Sequence, residues 1–93
     1  MPIKTFGDKK LERFFETGNR KKIKPSHAKK LALILDRLDA AEQIKDMNYP
    51  GSDFHKLKGN LKDFYSVHVN GNFVVIFRFK NGNAYDVKYL DYH

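Results

Sequence analysis

The side chains of this chain that can move a proton near neutral pH are His27, His55, His68 and His93, together with the carboxylate and phenol of the run Asp91-Tyr92-His93. An unperturbed imidazole titrates near about 6.5, so it can serve as acid or base in that range. Around one of these groups the sequence reads His55-Lys56-Leu57-Lys58, which sets two ammonium groups beside an imidazole, and Arg78 and Lys88 add cations further on. Such groups together suffice for RNA cleavage without metal. The ribose 2′-hydroxyl is deprotonated and attacks the adjacent phosphate, and the leaving 5′-oxygen is protonated.

Each residue also has a structural reading. His68 suits a half-exposed sheet position, Arg78 a cross-strand ion pair with Asp86, His55 an edge-strand surface, and Asp91-Tyr92-His93 a frayed terminus. No two histidines stand at metal-binding helical spacing and there is no cysteine, so no metal and no other cofactor is expected. The lysines lie in no phosphate-cradling glycine loop and Gly-x-Ser-x-Gly is absent, which leaves nucleotide hydrolysis and acyl transfer without support.

The elements that must position these groups are clearest between Phe64 and His93. Three runs rich in β-branched and aromatic residues are separated by Asn70-Gly71-Asn72 and Asn81-Gly82-Asn83, which predicts three strands and two tight turns. Parity favours three-residue turns, with Val69 opposite Phe73, Val67 opposite Val75, Phe79 opposite Tyr85 and Phe77 opposite Val87. Two-residue turns would instead set Phe77 opposite Asp86. The odd turns gather Tyr65, Val67, Val69, Phe73, Val75, Phe77, Phe79, Tyr85, Val87 and Tyr89 on one apolar face. The other face, with Ser66, His68, Asn70, Asn72, Val74, Ile76, Arg78, Asp86, Lys88 and Leu90, is expected to be polar with a basic bias.

Upstream, Ile3 to Phe6 predicts an edge strand. Asp8 is a candidate N-cap for a helix whose Leu11, Phe14 and Phe15 form one stripe, with Gly18 to end it. The basic stretch Arg20, Lys21, Lys22 and Lys24 reads either as a solvated connector or as a phosphate-contacting loop. Ser26 is placed to cap a second helix with Ala28, Leu31, Leu35 and Leu38 on its buried stripe. Asp39 followed by Glu42 resembles a capping box, where the helix bends or restarts and runs on to about Met47. Asn48 to Asp53 is a turn, and Phe54 to Lys58 a short strand closed by Gly59-Asn60. The order β-α-α-β-β-β-β predicts an α+β fold, a small antiparallel sheet with two N-terminal helices packed on one face.

Ninety-three residues fit one domain, 1–93. Lysine and arginine number 18 against 11 acids, a net charge of +7, which favours a polyanionic partner, nucleic acid before membrane. The absence of cysteine suits a reducing compartment. No apolar run approaches the roughly 18 residues needed to span a bilayer, and Met1 to Asp8 has no signal-peptide core, so a cytoplasmic protein is expected.

The segments His55-Lys56-Leu57-Lys58-Gly59-Asn60, Val69-Asn70-Gly71-Asn72-Phe73, Phe77-Arg78-Phe79, Asn81-Gly82-Asn83-Ala84-Tyr85 and Asp91-Tyr92-His93 resemble the HigB toxins of bacterial type II toxin-antitoxin pairs, within the RelE/ParE superfamily. The resemblance extends to Phe14-Phe15-Glu16-Thr17-Gly18 and Arg37-Leu38-Asp39-Ala40-Ala41, and so covers nearly the whole chain. His-x-Leu-Lys-Gly combined with a final Asp-Tyr-His is its specific part.

The resemblance implies a RelE-like microbial ribonuclease fold and a ribosome-dependent mRNA endonuclease that cuts messenger in the A site of the 30S subunit of the 70S ribosome. It implies a HigA-like helix-turn-helix antitoxin as partner, operator DNA reached only through that antitoxin, and no membrane. The catalytic candidates it implies are His55, Asp91, Tyr92 and His93. Lys56, Lys58, Arg78 and Lys88 would contact RNA phosphate, and Arg20, Lys21, Lys22 and Lys24 the ribosome. Alternatives are a ParE-like toxin of DNA gyrase and a noncatalytic protein that binds RNA or sequesters antitoxin. Phe73 is followed by Val74 where relatives commonly carry arginine, and Asn70 replaces a second basic residue. With Val74 on the polar face, where a scissile phosphate would lie, weak cleavage is expected, raised by Val74→Arg.

Overall fold

The computed structural model describes residues 1–92. Helix α1 (Lys9–Thr17) starts where Asp8 Oδ1 accepts the Leu11 N–H at 2.7 Å. It ends at Gly18, left-handed at φ 77°, whose N–H reaches the Phe14 carbonyl at 2.9 Å. Both ends follow the sequence reading, because capping is settled by residues within one turn. Leu11 and Phe14 are buried and Phe15 packs beside them.

Helix α2 (Ala28–Ala40) begins differently. The Ser26 side chain caps nothing; a 3-10 turn, Pro25–His27, leads into the helix, and Pro25 suits its first position because that N–H would be unsatisfied anyway. The helix also stops earlier than expected. Asp39 Oδ1 accepts the Ile3 N–H at 3.1 Å, and the backbone turns extended at Ala41. The reciprocal capping lies at Gln43 and Asp46, where it opens a 3-10 turn, Ile44–Met47. Ala28, Leu31, Ile34, Leu35 and Leu38 form the buried stripe.

Strands β1 (His55–Lys56), β2 (Tyr65–Asn70), β3 (Phe73–Lys80) and β4 (Asn83–Asp91) form one antiparallel sheet in that order. Residues 3–6 lie parallel to β4, bridged at Ile3 with Ala84 and at Phe6 with Val87. The helices cover one face, as predicted for an α+β fold, with Val67, Val69, Val75, Phe77, Val87 and Tyr89 buried beneath them.

The register departs from expectation near both turns. Asn70 pairs with Phe73, and Lys80 with Asn83, so each turn has two residues. Gly71 at φ 56°, and Asn81 and Gly82 at φ 52° and 79°, supply the left-handed backbone that such turns require. One extra residue then restores the parity in each hairpin, Val69 on β2 and Asp86, at φ 54°, on β4. Beyond the bulges Val67 faces Val75 and Val75 faces Tyr89, as the apolar pattern demands. Close to the second turn Arg78 pairs with Tyr85, so Ala84 rather than Tyr85 enters the core.

The second sheet face is polar only in part. Leu57, Val74 and Ile76 are buried there, with Leu61, Phe64 and Leu90 packed against them. The connection from β1 to β2 folds across this face, held by the Leu57 N–H on the Phe64 carbonyl at 2.9 Å. It contains a 3-10 turn, Gly59–Leu61, that the sequence reading left unassigned beyond Asn60. Val74 is 8% exposed and packs inside this cluster.

Candidate active site

His55 stands on the edge strand, paired with Ser66. Its Nδ1 lies 2.7 Å from the Asp53 carbonyl. A carbonyl only accepts, so Nδ1 carries the proton, which leaves Nε2 as the basic nitrogen of the neutral ring. An imidazole fixed at one nitrogen and exposed is suited to proton transfer. His68 is different: its Nε2 donates to the Gly71 carbonyl at 2.9 Å and braces the β2–β3 turn, in keeping with the structural reading.

One cross-strand row runs His55, Ser66, Ile76, Lys88. His55 and Lys88 thus occupy the two edges of the same row, about 14 Å apart across three strand spacings. Lys88 lies across Gly7 with its ammonium 5.4 Å from the centre of the Phe64 ring. Lys56 sits 5.9 Å from the Tyr65 ring, and Lys58 is exposed just before Gly59. Arg78 Nη1 is held by Asp86 Oδ2 at 2.9 Å, which matches the anticipated ion pair.

Asp91 and Tyr92 follow three and four residues beyond Lys88. Asp91 pairs with Phe73, and the Tyr92 N–H donates to the Asn72 carbonyl at 2.7 Å, so the strand is tied down to its described end. Tyr92 is 43% exposed. His93 lies outside the described residues. The sheet therefore sets His55 on its first strand and the Asp91-Tyr92 pair on its last.

The basic loop proves to be close to this terminus. Its backbone is braced by the Lys21 N–H on Asn19 Oδ1 at 2.9 Å and anchored by buried Ile23. Lys24 Nζ lies 5.0 Å from the Phe73 ring, and Phe73 is the partner of Asp91. Behind the loop a recess of about 250 Å3 is lined by Lys9, Lys10, Arg13, Asn19, Lys21 and Lys22. Sequence reading missed the α1 members, whose only signal is their spacing on the face opposite Leu11 and Phe14.

His27 is buried, with Nδ1 2.7 Å from the Tyr89 hydroxyl and its ring edge-on to Phe73 at 5.0 Å. Burial holds its pKa below the ordinary imidazole value, and the Lys24 and Lys30 charges push the same way. It is neutral core, and its partner Tyr89 stands two residues along β4 from Asp91. Among the described residues no three His, Asp or Glu side chains are grouped to hold a metal, and no helix is long and apolar enough to cross a membrane.

The family described as RelE-like toxin of type II toxin-antitoxin system HigB matches residues 4–93. The chain is 33% identical over 91 residues to endoribonuclease HigB of Proteus vulgaris, covering 98% of this chain and 99% of that protein. It is 40% identical over 90 residues to toxin HigB-1 of Vibrio cholerae, covering 95% and 94% respectively. Among solved structures, the YoeB–YefM complex from Staphylococcus aureus is similar at a TM-score of 0.58 and 15% identity, covering 97% of this chain and 99% of that one. A conserved Helicobacter pylori protein is similar at 0.51 and 17%, covering 94% and 93%. These two likenesses concern the fold.

Proposed function

The chain belongs to the RelE-like HigB toxins of type II toxin-antitoxin systems, and on that premise we propose that it is one toxin domain, an endoribonuclease that cleaves translated messenger in the ribosomal A site. The observation that carries this reading is His55, fixed through Nδ1 with Nε2 left basic, at the far edge of a sheet that ends in Asp91 and Tyr92. His55 and the Asp91-Tyr92-His93 terminus share the two proton transfers, one from the 2′-hydroxyl and one to the 5′-oxygen. The 2′-oxygen forms a new bond to phosphorus as the bond to the 5′-oxygen breaks. Lys56, Lys58 and Lys88 neutralise the charge that develops on the phosphate, and the outer donors of Arg78 contact RNA phosphate beside it. The reaction uses side chains alone, without metal or cofactor.

Arg20, Lys21, Lys22 and Lys24 hold the protein on ribosomal RNA. A HigA-like helix-turn-helix antitoxin neutralises it in the cytoplasm. The net charge of +7 favours an acidic surface on that partner. The test is induction in cells followed by mapping of messenger 5′-ends. Cuts inside translated frames are expected, lost with His55→Gln and with a chain ending at Asp91, both still folded. Intact messenger in cells arrested by the unmutated protein would overturn the reading.

A further inference from the structure

At the end of the sheet away from Asp91, β1 and the β3–β4 turn border a recess of about 470 Å3. Lys56, Tyr65, Arg78, Phe79, Lys80 and Tyr85 line it, with Asp63 as the acid on its wall. All three rings are half-buried, so part of each remains open. Tyr65 already stacks on Phe54 at 5.5 Å, whereas no ring pair among the described residues includes Phe79 or Tyr85. Tyr85 is there because the two-residue turn pairs it with Arg78 and sends Ala84 into the core in its place. Asp86 engages Nη1 of Arg78, and a guanidinium has five donors in all.

We propose that this recess is a subsite for single-stranded RNA, in which an unpaired base stacks on Tyr85 and the flanking phosphates meet Lys56, Lys80 and Arg78. Aromatic faces interleaved with cations are what sequence-tolerant binding of single strands requires. Three cations, of which Arg78 is paired with Asp86, against the one acid on the wall favour a polyanion over a protein segment as the occupant. The Arg78–Tyr85 pair lies five residues along β3 from the Phe73–Asp91 pair, about 17 Å at strand spacing. The subsite thus lies away from the Asp91 end of the active site, and Lys56, next to His55, is shared with that site. The proposal rests on reading the chain as an RNA-cleaving toxin.

Its test is fluorescence anisotropy with labelled single-stranded hexa-adenylate, using the full chain carrying His55→Gln so that the probe survives. In that background Tyr85→Ala weakens binding about tenfold, the loss of one stacked base, while Tyr85→Phe retains the affinity. Lys80→Gln flattens the dependence of log K on log salt by about 0.7. If Tyr85→Ala does not fold, Lys80→Gln decides alone, and an unchanged slope overturns the proposal. So does a folded Tyr85→Ala that binds the probe as its parent does, a parent that does not bind it, or a Tyr85→Ala that loses only antitoxin. Probe binding that depends on Tyr85, without cleavage of ribosome-bound messenger by the unmutated protein, would refute the nuclease reading and leave the subsite standing. Cleavage with Tyr85-independent binding would do the reverse.

Discussion

Replacing Asp8 by alanine should cost more than any other single helix cap in this protein, because its two carboxylate oxygens serve different elements. Oδ1 accepts the Leu11 N–H at 2.7 Å and starts α1, while Oδ2 accepts the Tyr89 N–H at 3.0 Å on β4. Loss of an N-cap costs about 0.5–2 kcal/mol. An N–H left unpaired on a residue only 2% exposed adds about 1–3 kcal/mol. Asp8→Ala should therefore lower stability by about 2–4 kcal/mol, a large part of the 5–15 typical of a domain this size. The ion pair with Lys10, at 3.5 Å and partly exposed, adds little. Asp8→Asn keeps one acceptor and should cost about half as much. Urea unfolding of the three proteins measures both differences. Messenger cleavage should fall further than the folded fraction accounts for, since Tyr89 lies two residues before Asp91. A loss below about 1 kcal/mol for Asp8→Ala, or equal losses for the two variants, would refute the dual role.

Below about pH 6.5 the unfolded chain protonates His27 before the folded one does. Stability is therefore full above that pH and declines as pH falls from there through the lowered folded pKa; denaturation midpoints measured at several pH values should show the decline, and His27→Gln should flatten it. Val74→Arg, placed in the cluster of Leu57 and Ile76, should destabilise the fold by about 1–3 kcal/mol instead of activating it, which urea unfolding checks and a faster, fully stable variant would contradict. Changing Arg20, Lys21 and Lys22 together to Gln should flatten the salt dependence of ribosome binding by about 2–3 in log-log slope, measured by pelleting at graded salt.

The parts of the fold that depend on near neighbours could be read directly. Asp8 and Gly18 bound α1 through contacts within one turn, and the alternation around Val67 and Val75 identifies the face that the helices cover. Register near the turns could not, because turn length and bulge position compensate each other and parity constrains only their sum. The second cluster was hidden for a related reason. Val74, Ile76 and Leu90 alternate with core residues in sequence, and only the crossing of Leu57, Leu61 and Phe64 makes them buried. At the site, residue types pointed to His55 and the Asp91-Tyr92 end. That Lys24 would come against Phe73, beside Asp91, depends on how α1 and its following loop lie on the sheet, which no local pattern encodes.

Asp86, the extra residue on β4, has a consequence for how this terminus can vary. Because strand side chains alternate, deleting it would rotate everything from Val87 onward by half a pleat, exchanging the sides to which Asp91 and Tyr92 project while moving each by only one residue along the strand. Val87 and Tyr89 would leave the core in the same step. The β3–β4 turn can therefore change length by one residue only if the bulge is gained or lost with it: the two are a coupled frame, and an insertion at Asn81-Gly82 paired with deletion of Asp86 should preserve both the core and the handedness of the terminus, where either change alone destroys them.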